Sequence, residues 1–191
     1  MPDVDRWVVE NTLRQVASQP DTLQEIDYIA IKISTQSISD DTFIAYIQKE
    51  LLKTKVDANK VCFEITEGMG INNLSDTANF IQSLKSIGCQ CVLDDFGGGA
   101  SSYRYLKQLP FDALKIDGNF ILHIQTNNND YAVVKSICEV AHFMNKQVTA
   151  EFIENEDTLK RTLVNQNLGH FKPYYDQFGY FVSPNLFYTN N

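Results

Sequence analysis

Short apolar segments alternate with amphipathic segments along most of this chain, and this alternation constrains the fold more than any other feature. The apolar segments are short and are followed by patterns such as Phe43, Ile47 and Leu51, which recur at helical spacing. Strands are predicted at 28–33, 61–65, 90–93, 114–116, 147–150 and 180–182. Such a repeat predicts a parallel sheet with crossover helices. A doubly wound sheet and a (β/α)8 barrel both fit the pattern.

Helix boundaries are predicted from capping residues and breakers. An opening helix carries Val9 and Leu13 on one face, and the segment 18–21, which contains Pro20, is predicted to break it. Further helices are predicted at 42–53, 75–87, 101–109, 130–144 and 156–165. Ser75 is the predicted N-cap of the helix at 75–87, and Gly88 the residue just beyond its end.

Each predicted strand from the first to the fifth ends in ionisable residues or runs into them. In chain order these are Lys32; Glu64 and Glu67; Asp94 and Asp95; Lys115 and Asp117; and Glu151 and Glu154. A single charge where a strand meets solvent is common, but ends of neighbouring parallel strands meet at one face. Several carboxylates crowded there repel one another unless cations compensate. The pattern therefore predicts a functional face.

Hard divalent cations such as Mg²⁺ or Mn²⁺ are the usual partners of such carboxylates. Glu64, Asp94, Asp95 and Glu151 are the candidate cluster, and adjacent aspartates suit a two-metal site for phosphodiester hydrolysis. Lys115 would position a water or neutralise a phosphate oxygen. The glycine-rich segment 94–102 fits either a phosphate cradle or a flexible functional loop, and it matches neither dinucleotide-binding nor P-loop motifs.

Composition narrows the class of protein. The 191 residues, 43% of them hydrophobic, predict a single globular domain, or a large part of one, over 1–191. The net charge of −8 argues against binding a nucleic acid polymer. No apolar run is long enough to span a bilayer, and the four cysteines form no metal-binding pattern, which favours buried thiols in a reducing compartment. We expect a cytoplasmic location, including the cytoplasmic part of a larger, membrane-attached protein.

Five motifs resemble the EAL domain family, which comprises cyclic di-GMP phosphodiesterases and their inactive relatives. They are FEITE (63–67), LDDFGGGASS (93–102), LPFDALKIDGNF (109–120), AEFIE (150–154) and a late aromatic run (177–184). The resemblance implies an α/β fold, a (β/α)8 TIM-like barrel of EAL type. The Glu-Ala-Leu signature is absent, which implies that the first strands of the family domain are missing at the N-terminus. An open barrel would expose a sheet edge and favour dimerisation or aggregation.

Matched position by position, the resemblance also implies roles for individual residues. Glu64, Asp94 and Asp95 would ligate Mg or Mn, and Glu151 and Lys115 would be the catalytic pair that prepares the attacking water. Glu67 would hold the DDFG loop, whose region forms a homodimer interface in the family. The remaining substrate-binding or supporting positions are Asp117, Glu154, Gln177 and Pro184.

Four positions depart from the family pattern. Lys32 replaces a metal-ligating asparagine, and an ammonium cannot coordinate a metal. It would pair with the carboxylates, or else point its amine to solvent. Phe152 and Phe178 replace glycines beside the pocket, although a one-residue insertion would instead match Gly179 to the second glycine. Gly118 replaces an arginine, a candidate phosphate contact.

These departures favour a degenerate EAL domain that binds cyclic di-GMP or a protein partner rather than hydrolysing the nucleotide. Such a site would need no metal. The alternative is an active Mg- or Mn-dependent phosphodiesterase that opens cyclic di-GMP to pGpG. By resemblance, the partners would also include other domains of a multidomain signalling protein. A serine nucleophile with His123, His142 or His170 is a distant third hypothesis, because no nucleophile-elbow motif is present.

Overall fold

Five parallel strands and the helices that connect them make up the described part of the chain. The computed structural model describes residues 2–67, 73–98 and 102–163. The strands are β1 (Ile29–Lys32), β2 (Val61–Thr66), β3 (Gln90–Phe96), β4 (Ala113–Ile116) and β5 (Gln147–Ala150). The helices are α1 (Pro2–Ala17), α2 (Pro20–Glu25), α3 (Thr35–Ile38), α4 (Phe43–Thr54), α5 (Leu74–Ser86), α6 (Ser102–Gln108), α7 (Gly118–Leu122), α8 (Asn128–Phe143) and α9 (Glu156–Leu163).

The sheet follows chain order, β1-β2-β3-β4-β5. Strands β1 and β2 pair in parallel with Lys32 opposite Glu64, and β4 and β5 pair in parallel with Lys115 opposite Thr149. The chain divides into two compact units. Unit 1 comprises 1–93 and 103–112, and unit 2 comprises 94–102 and 113–191. Strands and helices alternate along the described residues, which confirms the predicted alternation.

Unit 1 is built on a core of side chains from α1, α4 and β2. The predicted spacing along α4 buries Phe43, Ile47 and Leu51. The α1 residues Val9 and Leu13 are fully buried as well. All of β2 except its last residue is buried, as expected of a parallel strand covered on both faces.

A buried carboxylate ties α1 to α3 within unit 1. Asp5 Oδ2 accepts hydrogen bonds from the Ser34 backbone N–H at 2.9 Å, from the Ser34 hydroxyl at 2.5 Å and from the Ser37 hydroxyl at 2.6 Å. Asp5 is buried, so these donors replace the water that the carboxylate gives up on folding. The contact fixes the chain directly after β1.

Several local predictions were wrong because local hydrogen bonding decides where short helices form. The predicted break at 18–21 is right in its first half, because α1 ends at Ala17, but α2 begins inside it at Pro20, which suits a first helical turn because proline has no N–H. The short helices α3 and α7 were not predicted. Asn73, not Ser75, is the N-cap of α5, because its side chain accepts from the N–H groups of Ser75 and Asp76.

Other boundaries agree with the predictions or lie outside the described residues. Gly88, with φ of +95°, follows the end of α5 as predicted. Strand β3 extends past the predicted 90–93 to include Asp94, Asp95 and Phe96. The predicted strand at 180–182 and the last residues of the helix predicted at 156–165 lie outside the described residues. Among the described residues, no helix combines the length and apolar character needed to cross a membrane.

Candidate functional site

Two adjacent aspartates lie near the carboxyl end of strand β3, in unit 2. Asp94 is buried, and Asp95 is partly exposed. Asp95 adopts a left-handed backbone conformation with φ of +56°, one residue before the strand ends at Phe96. Aspartate tolerates this conformation better than most residues, and unusual backbone angles concentrate at functional sites.

Lys115 on β4 pairs with carboxylates from both neighbouring strands. Its Nζ lies 2.5 Å from Glu151 Oε1, directly after β5, and 3.4 Å from Asp94 Oδ1. The lysine and Asp94 are buried, whereas Glu151 is partly exposed. The parallel register brings these three side chains together at the carboxyl ends of β3, β4 and β5. Of the predicted carboxylate cluster, Asp94, Asp95 and Glu151 lie together in unit 2. Glu64, its fourth predicted member, belongs to unit 1 and is not part of this group.

Three of these side chains bring carboxylate oxygen atoms close to one another. One carboxylate oxygen each from Asp94, Asp95 and Glu151 lies within 4.8 Å of the others. Hard oxygen donors of this kind match the preference of Mg²⁺ and Mn²⁺. The donor set fits a divalent cation, and the Lys115 ammonium beside it supplies positive charge to two of the same carboxylates.

Asp117 caps a helix and packs against the loop after β3. Its Oδ1 accepts a hydrogen bond from the Asn119 N–H at 2.9 Å, which makes it the N-cap of α7. Its backbone N–H donates to the Phe96 carbonyl at 3.0 Å. A β-carbon on Gly98 would come within 2.5 Å of Asp117 Oδ2. Glycine at 98 therefore permits this close approach, and Asp117 holds the segment after β3 against the start of α7.

Two of the departures from the family pattern touch each other. Phe152 has a left-handed φ of +57°, which is strained for an aromatic residue, and its side chain is half exposed. A β-carbon at Gly118 would overlap the ring of Phe152 at Cδ2 and Cε2 and lie 3.0 Å from Cγ. The ring thus occupies the room into which a side chain at 118 would extend.

The remaining residues that the sequence singled out lie in four places. Glu154 is exposed in unit 2. Glu64 and Glu67 are buried in unit 1, at and directly after the end of β2. Lys32 ends β1 with an exposed side chain. Gln177, Phe178, Gly179 and Pro184 lie outside the described residues.

Thr149 is a site neighbour that the sequence reasoning missed. It is fully buried on β5, opposite Lys115, and its hydroxyl has no hydrogen-bond partner among the described residues. Since side chains alternate along a strand, Thr149 shares a face with Glu151. That alternation was readable in the segment VTAE, where a polar residue precedes the glutamate by two positions.

Fold and site together define a parallel α/β domain with an acidic, lysine-containing site at the carboxyl ends of its strands. The family model described as "EAL domain" matches residues 1–163. The chain belongs to the EAL domain family.

Curated relatives are similar over most of this chain. It is 37% identical over 161 residues to cyclic di-GMP phosphodiesterase PdeA of Borreliella burgdorferi, and 36% identical over 160 residues to cyclic di-GMP phosphodiesterase PdeF of Escherichia coli. Each match covers 84% of this chain, but only 24% of the first relative and 21% of the second. The chain thus spans a quarter or less of these proteins.

Solved EAL domains share the fold. The PaMucR phosphodiesterase in complex with c-di-GMP matches with a TM-score of 0.77 and 26% identity, over 83% of this chain and 64% of that one. The EAL domain of Mycobacterium smegmatis DcpA matches with a TM-score of 0.80 and 26% identity, over 86% of this chain and 74% of that one. The predicted TIM-like α/β fold of EAL type is confirmed.

Proposed function

We propose that this chain binds cyclic di-GMP at the carboxyl ends of its strands and holds the nucleotide without hydrolysing it. Two observations support this class of ligand. The relatives PdeA and PdeF are cyclic di-GMP phosphodiesterases, and the solved PaMucR phosphodiesterase is in complex with c-di-GMP. Lys115 supports it as well, because a cyclic dinucleotide carries two negative charges and needs a cation among carboxylates.

The register at the end of β1 is the observation that most supports binding without hydrolysis. Lys32 lies opposite Glu64 there, at a position where the family pattern has a metal-ligating asparagine. An ammonium donates hydrogen bonds but offers no lone pair to a metal, and its charge opposes a cation at Glu64. Phe152, which replaces a glycine directly after Glu151, reshapes the same end of β5.

Hydrolysis of cyclic di-GMP to pGpG is the second candidate, and the grouping of Asp94, Asp95 and Glu151 favours it. Asp94 and Asp95 would hold Mg²⁺ or Mn²⁺, which when bound would stabilise charge on the phosphate and lower the pKa of a coordinated water. Glu151 would accept the proton of the attacking water, and Lys115 would orient Glu151. Asp117 would keep the loop after β3 in place.

Calorimetric titration of cyclic di-GMP, once with Mg²⁺ and once with EDTA, tests the proposal. Chromatography of the cell contents then detects any pGpG. We expect binding with the nucleotide intact in both conditions. Conversion to pGpG with Mg²⁺ would establish the second candidate, and the absence of binding in both conditions would refute a nucleotide-binding function for this chain.

A single substitution tests the role of Lys32 directly. Lys32→Asn restores the amide oxygen of the family pattern, and we expect it to add Mg²⁺-dependent binding or turnover. Lys49→Asn is the matched control, because Lys49 is exposed on α4 in the same unit and the same charge is removed. Equal effects of the two substitutions would show that net charge, rather than the position beside Glu64, matters.

The remaining proposals concern assembly. We propose that residues 1–191 act as one EAL-type domain that forms a homodimer through the region of the DDFG loop, within a larger signalling protein. Sedimentation at several concentrations measures the oligomeric state. A monomer that melts in one sharp transition would contradict the dimer.

A further inference from the structure

Phe152 and Gly118 lie far apart in the chain but fill one volume in unit 2. One edge of the Phe152 ring, from Cγ to Cε2, occupies the room that a side chain at 118 would need. Phe152 has a left-handed backbone, and 51% of its surface remains exposed. Glu151, immediately before it, pairs with Lys115 in the acidic site. Phe152 therefore borders the site through its chain neighbour Glu151, and part of its surface is uncovered.

We infer that Phe152 and Gly118 act together as a specificity-determining pair. The ring of Phe152 takes the place of any side chain at 118 and gives this border an aromatic surface. The ligand group that fits there is a flat ring, such as a guanine base, because aromatic side chains stack on the faces of bases. This assignment of the ligand group rests on the proposed function. The steric exclusion between Phe152 and a side chain at 118 does not depend on the proposed function.

The geometry shows why the two positions depend on each other. Gly118 opens α7 and has no left-handed φ, so alanine would by itself suit the helix better than glycine. The Phe152 ring reverses this preference, because a β-carbon at 118 overlaps two of its atoms. Conversely, glycine at 152 would suit the φ of +57° and remove the obstacle.

A double-mutant cycle followed by thermal unfolding tests the exclusion without any ligand. We expect Gly118→Ala to lower the melting temperature of the otherwise unchanged chain by about 2–4 °C. In the Phe152→Gly background the same change should leave the melting temperature unchanged or raise it. Phe143→Gly is the control background, since Phe143 is 90% exposed and should not alter the effect. An equal effect of Gly118→Ala in all three backgrounds would overturn the inference.

Titration of cyclic di-GMP tests the ligand contact. We expect Phe152→Ala to weaken binding by about 5- to 160-fold, the range that corresponds to loss of base stacking, and Phe152→Tyr to retain binding. Phe143→Ala should bind as the unchanged chain does. Equal binding by Phe152→Ala and the unchanged chain would overturn the role of Phe152 at the ligand. If the unchanged chain binds no cyclic di-GMP, the proposed function and the ligand contact both fail, while the melting cycle still decides the steric exclusion.

Discussion

Replacing Lys115 by methionine would remove the positive charge from the candidate site and keep most of the apolar length of the side chain. The ammonium lies 2.5 Å from Glu151 Oε1 and 3.4 Å from Asp94 Oδ1. Without it, these two carboxylates and Asp95 would remain within 4.8 Å of one another with no opposing charge from β4. We expect this substitution to destabilise the fold substantially at neutral pH.

The expected loss can be bounded from these distances. With an effective dielectric constant of about 20, the 2.5 Å and 3.4 Å contacts correspond to about 7 and about 5 kcal/mol of attraction. Transfer of the charges out of water offsets most of that sum. Removing one partner of a buried ion pair typically costs about 3–5 kcal/mol. Because Glu151 is partly exposed, we expect the low end, about 3 kcal/mol.

Urea unfolding followed by circular dichroism measures this loss. Lys135→Met is the matched control, because its partner Glu139 lies 3.9 Å away on the same helix and both side chains are exposed. The control should change the free energy of unfolding by less than about 0.5 kcal/mol. Added Mg²⁺ should restore part of the stability of Lys115→Met, since a divalent cation can replace the lost charge among the three carboxylates.

Equal urea midpoints for Lys115→Met and Lys135→Met would refute this reasoning. That result would mean that water screens the carboxylate cluster as fully as it screens an exposed helix surface. A large loss of stability that Mg²⁺ does not reduce would show that the ion pair stabilises the fold. It would also argue against a cation site at Asp94, Asp95 and Glu151.

Three further predictions concern the surrounding fold. Asp5→Ala should cost about 2–3 kcal/mol in urea unfolding, since it leaves three buried or partly buried donors without their acceptor, and an unchanged midpoint would contradict this. Hydrogen bonds from Thr42 and Arg6 lower the pKa of Asp40 to about 2. The difference in free energy of unfolding between the unchanged chain and Asp40→Asn should therefore be complete above about pH 5 and shrink as the pH falls toward 2. A difference that does not depend on pH would contradict this. Burial raises the pKa of Cys89 to about 12 and raises that of Cys62, so a thiol reagent should label the native chain slowly and the unfolded chain fully. The thiols concerned are buried in the structure: Cys62, Cys89, Cys91 and Cys138.

The alternation of strands and helices was predictable because its cause is local. Apolar residues at four-residue spacing, as in Phe43, Ile47 and Leu51, bury one face of a helix whatever the helix packs against. Charges that follow short apolar strands were enough to place Asp94, Lys115 and Glu151 at one edge of a parallel sheet, because all parallel strands end on the same side.

Short helices and caps were less predictable because several local hydrogen-bond arrangements compete. Ser75 is a good N-cap by residue type, but Asn73 lies two residues earlier and reaches the N–H groups of both Ser75 and Asp76. Pro20 serves equally well as a breaker and as the first residue of a new helix. Residue type by itself does not choose between such alternatives.

The sequence by itself therefore determined the β/α order, the family and the charged residues at the strand ends, since these depend on spacing and motif. Tertiary structure decided which of those residues meet and in what geometry. The 2.5 Å contact of Lys115 with Glu151, the left-handed backbone at Asp95 and the exclusion between Phe152 and Gly118 all depend on register and packing between distant segments. Contacts between distant segments are set by how strands pair and side chains fill space, and no local pattern encodes those distances.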